Sequence, residues 1–346
     1  MNTNILTEDQ KKISQDIYSS VQSASTVLLH CHPNPDPDSV GSALAMKYAL
    51  EQVGKKVTVI RGDSKIPDAF SHFSGMSDIV QKNFSEINPA EFDLFIVQDS
   101  GSTEMISRIN PPVFPLTEYP NFKVVVIDHH ASNTKYGAIN LVATQYQSTT
   151  EILFDLFSEW NIKIIPEMAE ALYVGLFTDS GGFRYERVTD HTFYMASVLS
   201  SVNPQITKSI KTMENSAEEG YVDFLGCALT QKKSFDTPRG SFVISYVTYA
   251  DVQRLGLTSD NWSGNEVCNM LKSVKKWNVA SLVIEEKPGV CKVSLRTRDA
   301  YAYNVSKVAV HLGGGGHPSA AGVVIRDSAE HAVEILAQGI TEVLFS

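Results

Sequence analysis

Four cysteines in 346 residues, none within two positions of another, leave no zinc ribbon and no disulfide framework of a small secreted domain. Cys31, Cys227, Cys268 and Cys291 read as reduced, mostly buried thiols. No stretch approaches the roughly 20 apolar residues of a membrane span. The opening MNTNILTEDQKK lacks the basic-then-apolar pattern of a signal peptide, so a cytoplasmic protein with no membrane partner is expected. Basic residues are also scarce: 29 Lys and Arg against 39 Asp and Glu give a formal charge of −10. Nonspecific affinity for duplex comes from cationic side chains neutralising many phosphates, which argues against a long duplex partner. The basic groove with interleaved aromatics that a single-strand scaffold needs is missing as well. A short or mononucleotide substrate stays compatible with this charge.

What remains is an ordinary globular composition, 43% apolar and 20% charged, in a chain long enough for two domains. Ile13, Ile17, Tyr18 and Val21 recur at helical spacing and predict an amphipathic helix over 7–24. A short strand over 26–29 follows, then the turn HCHPNPDPDS, then a helix over 40–53 that begins near Ser39 and stops at Gly54. Residues 56–61 resume as a strand, and FDLFIV (92–97) and KVVVI (123–127) fit strands buried on both faces. A helix over 148–160 opens on Ser148 with Glu151 as a capping-box partner, and another covers 166–178. This alternation predicts an α/β fold with an N-terminal parallel sheet. The mostly helical 191–229 reads as a linker between a catalytic domain (1–190) and a smaller C-terminal α+β substrate-binding domain (230–346). Runs of strand type mark the latter at 241–248, 279–285 and 290–296. The active site is expected in the cleft between the two.

The chemistry-bearing residues follow apolar elements. His32-Pro33-Asn34-Pro35-Asp36-Pro37-Asp38 comes after the first strand, and Asp99 ends FDLFIVQ. Asp128-His129-His130 ends KVVVI, and Asp179 follows ALYVGLFT and precedes Ser180-Gly181-Gly182. Any one of these could be a helix cap or a turn, as Asp38 or Ser39 would be at the start of a helix. Four such clusters, each where the carboxyl edge of a sheet would lie, point instead to a ligand site. Carboxylates and imidazoles without thiolates suit Mn²⁺ and its neighbours, and so many acids suggest two cations. Paired cations activate water and neutralise charge on a phosphoryl group, which is phosphoester hydrolysis.

Together HPNPDPDSVGS, VQDSG, VIDHH and LFTDSGGFRY resemble the motifs of the DHH phosphoesterase superfamily, in that family's order. His311-Leu312-Gly313-Gly314-Gly315-Gly316-His317-Pro318-Ser319-Ala320-Ala321-Gly322 resembles the glycine-rich signature of the DHH-associated (DHHA1) domain, so the resemblance spans about residues 10 to 340. It implies that His32 and Asp36 bind one divalent cation, that Asp38, His129 and Asp179 bind the other, and that Asp99 bridges them. It further implies that His130 donates to the scissile phosphate and that Asp128 orients the imidazoles. Mn²⁺ is the first expectation, with Mg²⁺ or Co²⁺ as substitutes. Gly313, Gly314, Gly315 and Gly316, free of Cβ atoms, could close backbone N–H groups around phosphate oxygens, and His317 could add a donor. In the basic SLRTR, Arg296 is favoured over Arg298 to fork onto a substrate phosphate. Within the superfamily the chain is most similar to bacterial nanoRNase/pAp phosphatases, which trim very short RNAs and dephosphorylate 3′-phosphoadenosine 5′-phosphate. An exopolyphosphatase, a pApA or cyclic-dinucleotide hydrolase and a non-enzymatic nucleotide-binding regulator are the alternatives. A homodimer is compatible with the family.

Overall fold

The computed structural model describes residues 4–185, 187–216, 219–257 and 264–346. The chain divides into two compact units, Met1–Ser216 and Ala217–Ser346. The first runs α1 (Glu8–Ser23), β1 (Thr26–His30), α2 (Pro37–Gln52), β2 (Lys56–Ile60), β3 (Ile79–Val80), β4 (Leu94–Gln98), β5 (Lys123–Asp128), β6 (Ile139–Val142), α3 (Thr149–Glu159), α4 (Pro166–Asp179), α5 (Asp190–Val202) and α6 (Thr207–Glu214).

Its strands form a six-stranded sheet in the order β3-β2-β1-β4-β5-β6, parallel throughout. The strands are apolar on both faces because both are covered. Val27, Leu29, Ile96, Val125 and Ile127 pack under the helices with Leu44, Leu153 and Leu172. Their alternates Leu28, Phe95, Val97 and Val126 face an aromatic layer that includes Phe84 and Phe122. The order reverses between β1 and β4, the switch point at which open parallel sheets hold ligands beyond their carboxyl ends.

Two details differ from the sequence reading. The helix read as beginning near Ser39 starts at Pro37, whose fixed φ suits a first helical turn, and Asp36 caps it by accepting from the Ser39 amide at 2.9 Å. Neither Asp38 nor Ser39 is the cap; the buried Ser39 hydroxyl accepts instead from the His32 amide at 2.9 Å. The stretch read as a helical linker divides near Ser216. In α5 and α6, Met195, Leu199 and Ile210 join the core of the first unit, whereas Phe224 and Ala228 of the next helix join the second.

The second unit runs α7 (Glu219–Thr230), β7 (Lys232–Thr237), β8 (Gly240–Val247), α8 (Tyr249–Arg254), α9 (Gly264–Ser273), β9 (Val279–Lys287), β10 (Val290–Thr297), α10 (Val305–His311), β11 (Gly315–His317), β12 (Ala320–Ile325) and α11 (Ala329–Leu344). Its sheet, β11-β12-β10-β9-β8-β7, is antiparallel except for the parallel pair β8 and β9. Val308 and Leu336 of α10 and α11 cover one face, and Phe224, Val252 and Leu271 of α7, α8 and α9 cover the other. Among the described residues no helix is long and apolar enough to cross a membrane.

Candidate metal centre

Backbone geometry gathers the acids and histidines of the first unit at one edge of its sheet. His32 lies two residues past β1, Asp99 directly follows β4, and Asp128 ends β5 with His129 and His130 beyond it. Asp99 takes a left-handed φ of 51°, a conformation that aspartate tolerates better than most residues and that concentrates at functional sites. Asp38 sits in the first turn of α2 and Asp179 is the last residue of α4. These helices approach closely only because their contact residues lack side chains. A Cβ on Gly41 would lie 2.3 Å from the Ala171 carbonyl oxygen, and one on Gly175 would lie 2.6 Å from Asp38 Oδ1.

Three groups that could hold a metal ion result, His32–Asp36–Asp99, Asp38–His129–Asp179 and Asp99–His129–His130, each with its candidate donor atoms within 4.8 Å of one another. His32 Nε2 is 3.6 Å from Asp36 Oδ2 and 3.5 Å from Asp99 Oδ2. His129 Nε2 is 3.6 Å from Asp99 Oδ1 and 3.5 Å from Asp179 Oδ2. These separations are long for hydrogen bonds. They fit donors that converge on an ion at about 2.0–2.2 Å each. The two oxygens of Asp99 thus face different histidines.

His32 Nδ1 lies 3.0 Å from the Pro33 carbonyl, which can only accept, so Nδ1 carries a hydrogen and Nε2 is the atom turned toward Asp36 and Asp99. Burial lowers the His32 pKa, but those two carboxylates outweigh it and hold it well above its ordinary value, so a cation bound at Nε2 would displace a proton. Both ring nitrogens of buried His129 lack hydrogen-bond partners among the described residues, and burial pushes its pKa down, leaving a neutral imidazole. Burial, together with repulsion from neighbouring carboxylates, drives the Asp38 and Asp179 carboxyls well above their ordinary range. Crowded acids beside a neutral, unpartnered imidazole are chemically suited to divalent cations, whose charge offsets the repulsion.

His130 is built differently. Its Nδ1 donates to Asp128 Oδ1 at 2.8 Å. Asp128 also accepts from the His129 amide at 2.9 Å and from Asn133 Nδ2 at 2.7 Å, so its oxygens are occupied by protein donors. Burial pushes the His130 pKa down, but Asp128 and the field of Asp99 outweigh it and leave it raised to about 9. With the charges of Asp99 and Asp38 uncompensated, His130 is a cationic donor beside these groups.

Sequence reasoning missed the residues that hold these acids in place. The Thr149 and Thr150 amides donate to Asp38 at 2.7 and 3.0 Å, using the free N–H groups of the first turn of α3. Thr150 Oγ1 also donates to Asp38 at 2.8 Å, and Thr149 Oγ1 to Asp99 at 3.2 Å. The Gln147 side-chain amide donates to the Asp179 carbonyl. The available signal was the polar QSTT at the start of a helix, which reads only as a cap. Ser148 does cap α3, accepting from the Glu151 amide at 3.1 Å. The Glu151 carboxylate does not return to the Ser148 amide; it accepts from the Gln147 amide at 2.7 Å and meets His191 at 2.9 Å.

The remaining candidates lie in the second unit, apart from this cluster in the chain. Gly313 (φ 86°) and Gly314 end α10, the Gly314 amide donating to the Ala309 carbonyl at 2.7 Å. Gly315, Gly316 and His317 form the edge strand β11. Arg296 and His317 both stand opposite Ala320, on either side of it, so the register puts them on one sheet face. The same face carries Gly315, Gly322 and Ser294 in the next row, a floor of small residues between an arginine and a histidine. Arg298 falls beyond the end of β10 and donates to the Val274 carbonyl at 3.2 Å. Tyr301 is exposed, and Tyr303 stacks on Phe345 at 5.1 Å.

Residues 26–176 match the DHH family, N-terminal domain, and residues 240–343 match the DHHA1 domain. A probable bifunctional oligoribonuclease and PAP phosphatase NrnA of Streptococcus mutans is 24% identical over 308 residues, covering 88% of this chain and 91% of that protein. The bifunctional oligoribonuclease and PAP phosphatase NrnA of Mycoplasma pneumoniae is 26% identical over 315 residues, covering 89% and 90%. Among solved structures, an exopolyphosphatase-related protein from Bacteroides fragilis superposes with a TM-score of 0.84 at 22% identity, covering 97% of this chain and 98% of that one, which establishes the fold. With a DHH N-terminal domain followed along the chain by a DHHA1 domain, and with an Asp- and His-rich sheet edge in the first unit, the chain belongs to the DHH/DHHA1 phosphoesterase superfamily.

Proposed function

We propose that this phosphoesterase hydrolyses short oligoribonucleotides and 3′-phosphoadenosine 5′-phosphate with two divalent cations, Mn²⁺ first among them. His32, Asp36 and Asp99 would hold one cation, and Asp38, His129, Asp179 and Asp99 the other. The observation that carries this reading is Asp99, whose oxygens stand 3.5 Å from His32 Nε2 and 3.6 Å from His129 Nε2, so that one carboxylate serves two ligand groups. When bound, paired cations supply an activated water and offset charge at phosphorus. Mixed carboxylate and imidazole donors favour Mn²⁺ over the harder, oxygen-preferring Ca²⁺.

The chain's own groups do the rest. His130, oriented and raised in basicity by its 2.8 Å bond to Asp128, would present a donor where negative charge gathers on the scissile phosphate. Asp128 fixes the ring orientation and does not itself bind metal. In the second unit, Arg296, His317 and the Gly315–Gly316 backbone would serve as phosphate donors, whereas the Gly313 and Gly314 amides expected to join them are already given to the Val310 and Ala309 carbonyls at 3.0 and 2.7 Å. The names of the NrnA relatives support the substrate class, and a net charge of −10 supports short over long nucleic acid.

The test is release of phosphate or nucleotide from pAp, pApA, short RNA and polyphosphate with Mn²⁺, for the wild type, Asp99→Ala and His130→Ala. Hydrolysis of pAp and short RNA, lost in both variants, is the expected result. Turnover of polyphosphate alone makes the chain an exopolyphosphatase, and metal binding without turnover on any of the four makes it a nucleotide-binding regulator.

A further inference from the structure

His191, the second residue of α5, belongs to no recognised motif, yet both its ring nitrogens are engaged in the interior. Nδ1 meets Glu151 Oε1 at 2.9 Å and Nε2 meets Asp155 Oδ1 at 3.0 Å, and all three side chains are buried. The two arms of this bridge lead to different places. On the Asp155 side, Oδ2 accepts from the Tyr146 hydroxyl at 2.6 Å and from the Ile5 amide at 2.9 Å, contacts that fasten α3 to the start of the chain. On the Glu151 side, Oε2 accepts from the Gln147 amide at 2.7 Å, and the Gln147 side chain donates to the carbonyl of Asp179. Glu151 is also the next residue after Thr149 and Thr150, which hold Asp38 and Asp99.

We propose that His191 is a positioning residue for the metal centre, acting through Glu151 and Gln147 on the first turn of α3 and so on Asp38, Asp99 and Asp179. The inference rests on the metal reading of that cluster. A buried carboxylate that loses its cation must find new partners or become protonated. For Glu151 the nearest groups to disturb are the ones that orient the metal-facing acids. Partners that orient ligands in this way are worth about 10–100-fold in metal affinity or activity.

The two arms can be cut separately. In His191→Asn the side-chain amide nitrogen occupies the place of Nδ1 and keeps a donor toward Glu151. In His191→Gln it reaches the place of Nε2 and keeps only the donor toward Asp155. Each variant removes the charge and one hydrogen bond, so a purely structural role predicts similar effects for both. The measurement is calorimetric titration of the full chain with Mn²⁺ alone. His191→Gln is expected to weaken Mn²⁺ binding by about tenfold or more, and His191→Asn to stay within about threefold of the wild type. Equal effects, or none, overturn the inference while leaving the metal reading intact. A wild type that binds no Mn²⁺ overturns both. Should His191→Gln fail to fold, Gln147→Met, which removes the donor to Asp179 without touching the ion bridge, takes its place, and unchanged Mn²⁺ binding there overturns the proposal.

Discussion

At the level of single residues, charge state decides what each histidine can do. His129, neutral and without a hydrogen-bond partner among the described residues, suits a ligand, whereas His130, paired with Asp128, suits a cationic donor. His130→Ala is therefore expected to lower kcat by about 10²–10³ while leaving Mn²⁺ affinity nearly unchanged, since it removes a donor to the transition state rather than a ligand. Steady-state kinetics beside a metal titration checks this, and a matching loss of Mn²⁺ affinity would make His130 a ligand instead. His191 carries a pH signature. Burial pushes its pKa down from an ordinary 6.5, but Asp155 and Glu151 outweigh it and leave it raised to about 9. Because the folded value lies above the unfolded one, its stabilisation is complete below about pH 6.5 and lost as pH rises through about 9. The shift corresponds to about 3 kcal/mol. The difference in unfolding free energy between wild type and His191→Gln, measured in denaturant from pH 6 to pH 10, should shrink over that window; a constant difference would contradict the ionised bridge.

The helices carry a second kind of constraint, the distance at which their backbones meet. Gly175 gives α4 room to pass against Asp38 and Thr150, each of which has an atom within 2.7 Å of where a Cβ would stand. Alanine normally favours a helix over glycine by about 1 kcal/mol. At Gly175 overpacking of about 1–3 kcal/mol should outweigh that gain. Gly175→Ala is thus expected to lower stability and weaken Mn²⁺ binding. Gly226 in α7 is the control: a Cβ there meets nothing within 4 Å, so Gly226→Ala should raise stability by about 0.5–1 kcal/mol without affecting metal. Thermal melts of the two variants with and without Mn²⁺ separate the cases. The helix starts also show where local patterns mislead. Asp38 and Ser39 look like caps because both are good N-cap residues, yet Asp36 wins, since Pro37 can occupy only the first turn.

For the whole molecule the governing quantities are net charge and bound metal. With −10 overall, the chain should bind a long duplex no more tightly than about 10⁻⁴ M at physiological salt, the weak end of nonspecific binding. A fluorescence-anisotropy titration reads this directly, and submicromolar affinity would require a basic surface that the composition does not suggest. Divalent cations bound by the folded first unit should raise its melting temperature. At a hundredfold excess over Kd each site contributes about 2.7 kcal/mol. Chelation should reverse the gain, and Asp99→Ala, which removes a carboxylate shared by two ligand groups, should abolish most of it.

By itself the sequence determined the alternation of strands and helices and the place of each chemical cluster along them. Those signals are local: KVVVID is apolar until the strand ends, and Asp128, His129 and His130 stand where it ends. Short elements such as β3, β6 and β11 carry too few residues for a pattern to emerge. The linker reading overlooked that α5 and α6 bury apolar faces against the first unit, because amphipathic spacing does not say which core a helix joins. Only tertiary structure decided the contacts across the chain. Asp38 and Thr150 are 112 residues apart, and Glu151 and His191 are 40 apart. A threonine amide at a helix start or a histidine on an apolar helix has no distinctive neighbours in sequence; its partners exist only after the sheet has stacked its helices, and the buried carboxylates they meet must be satisfied there.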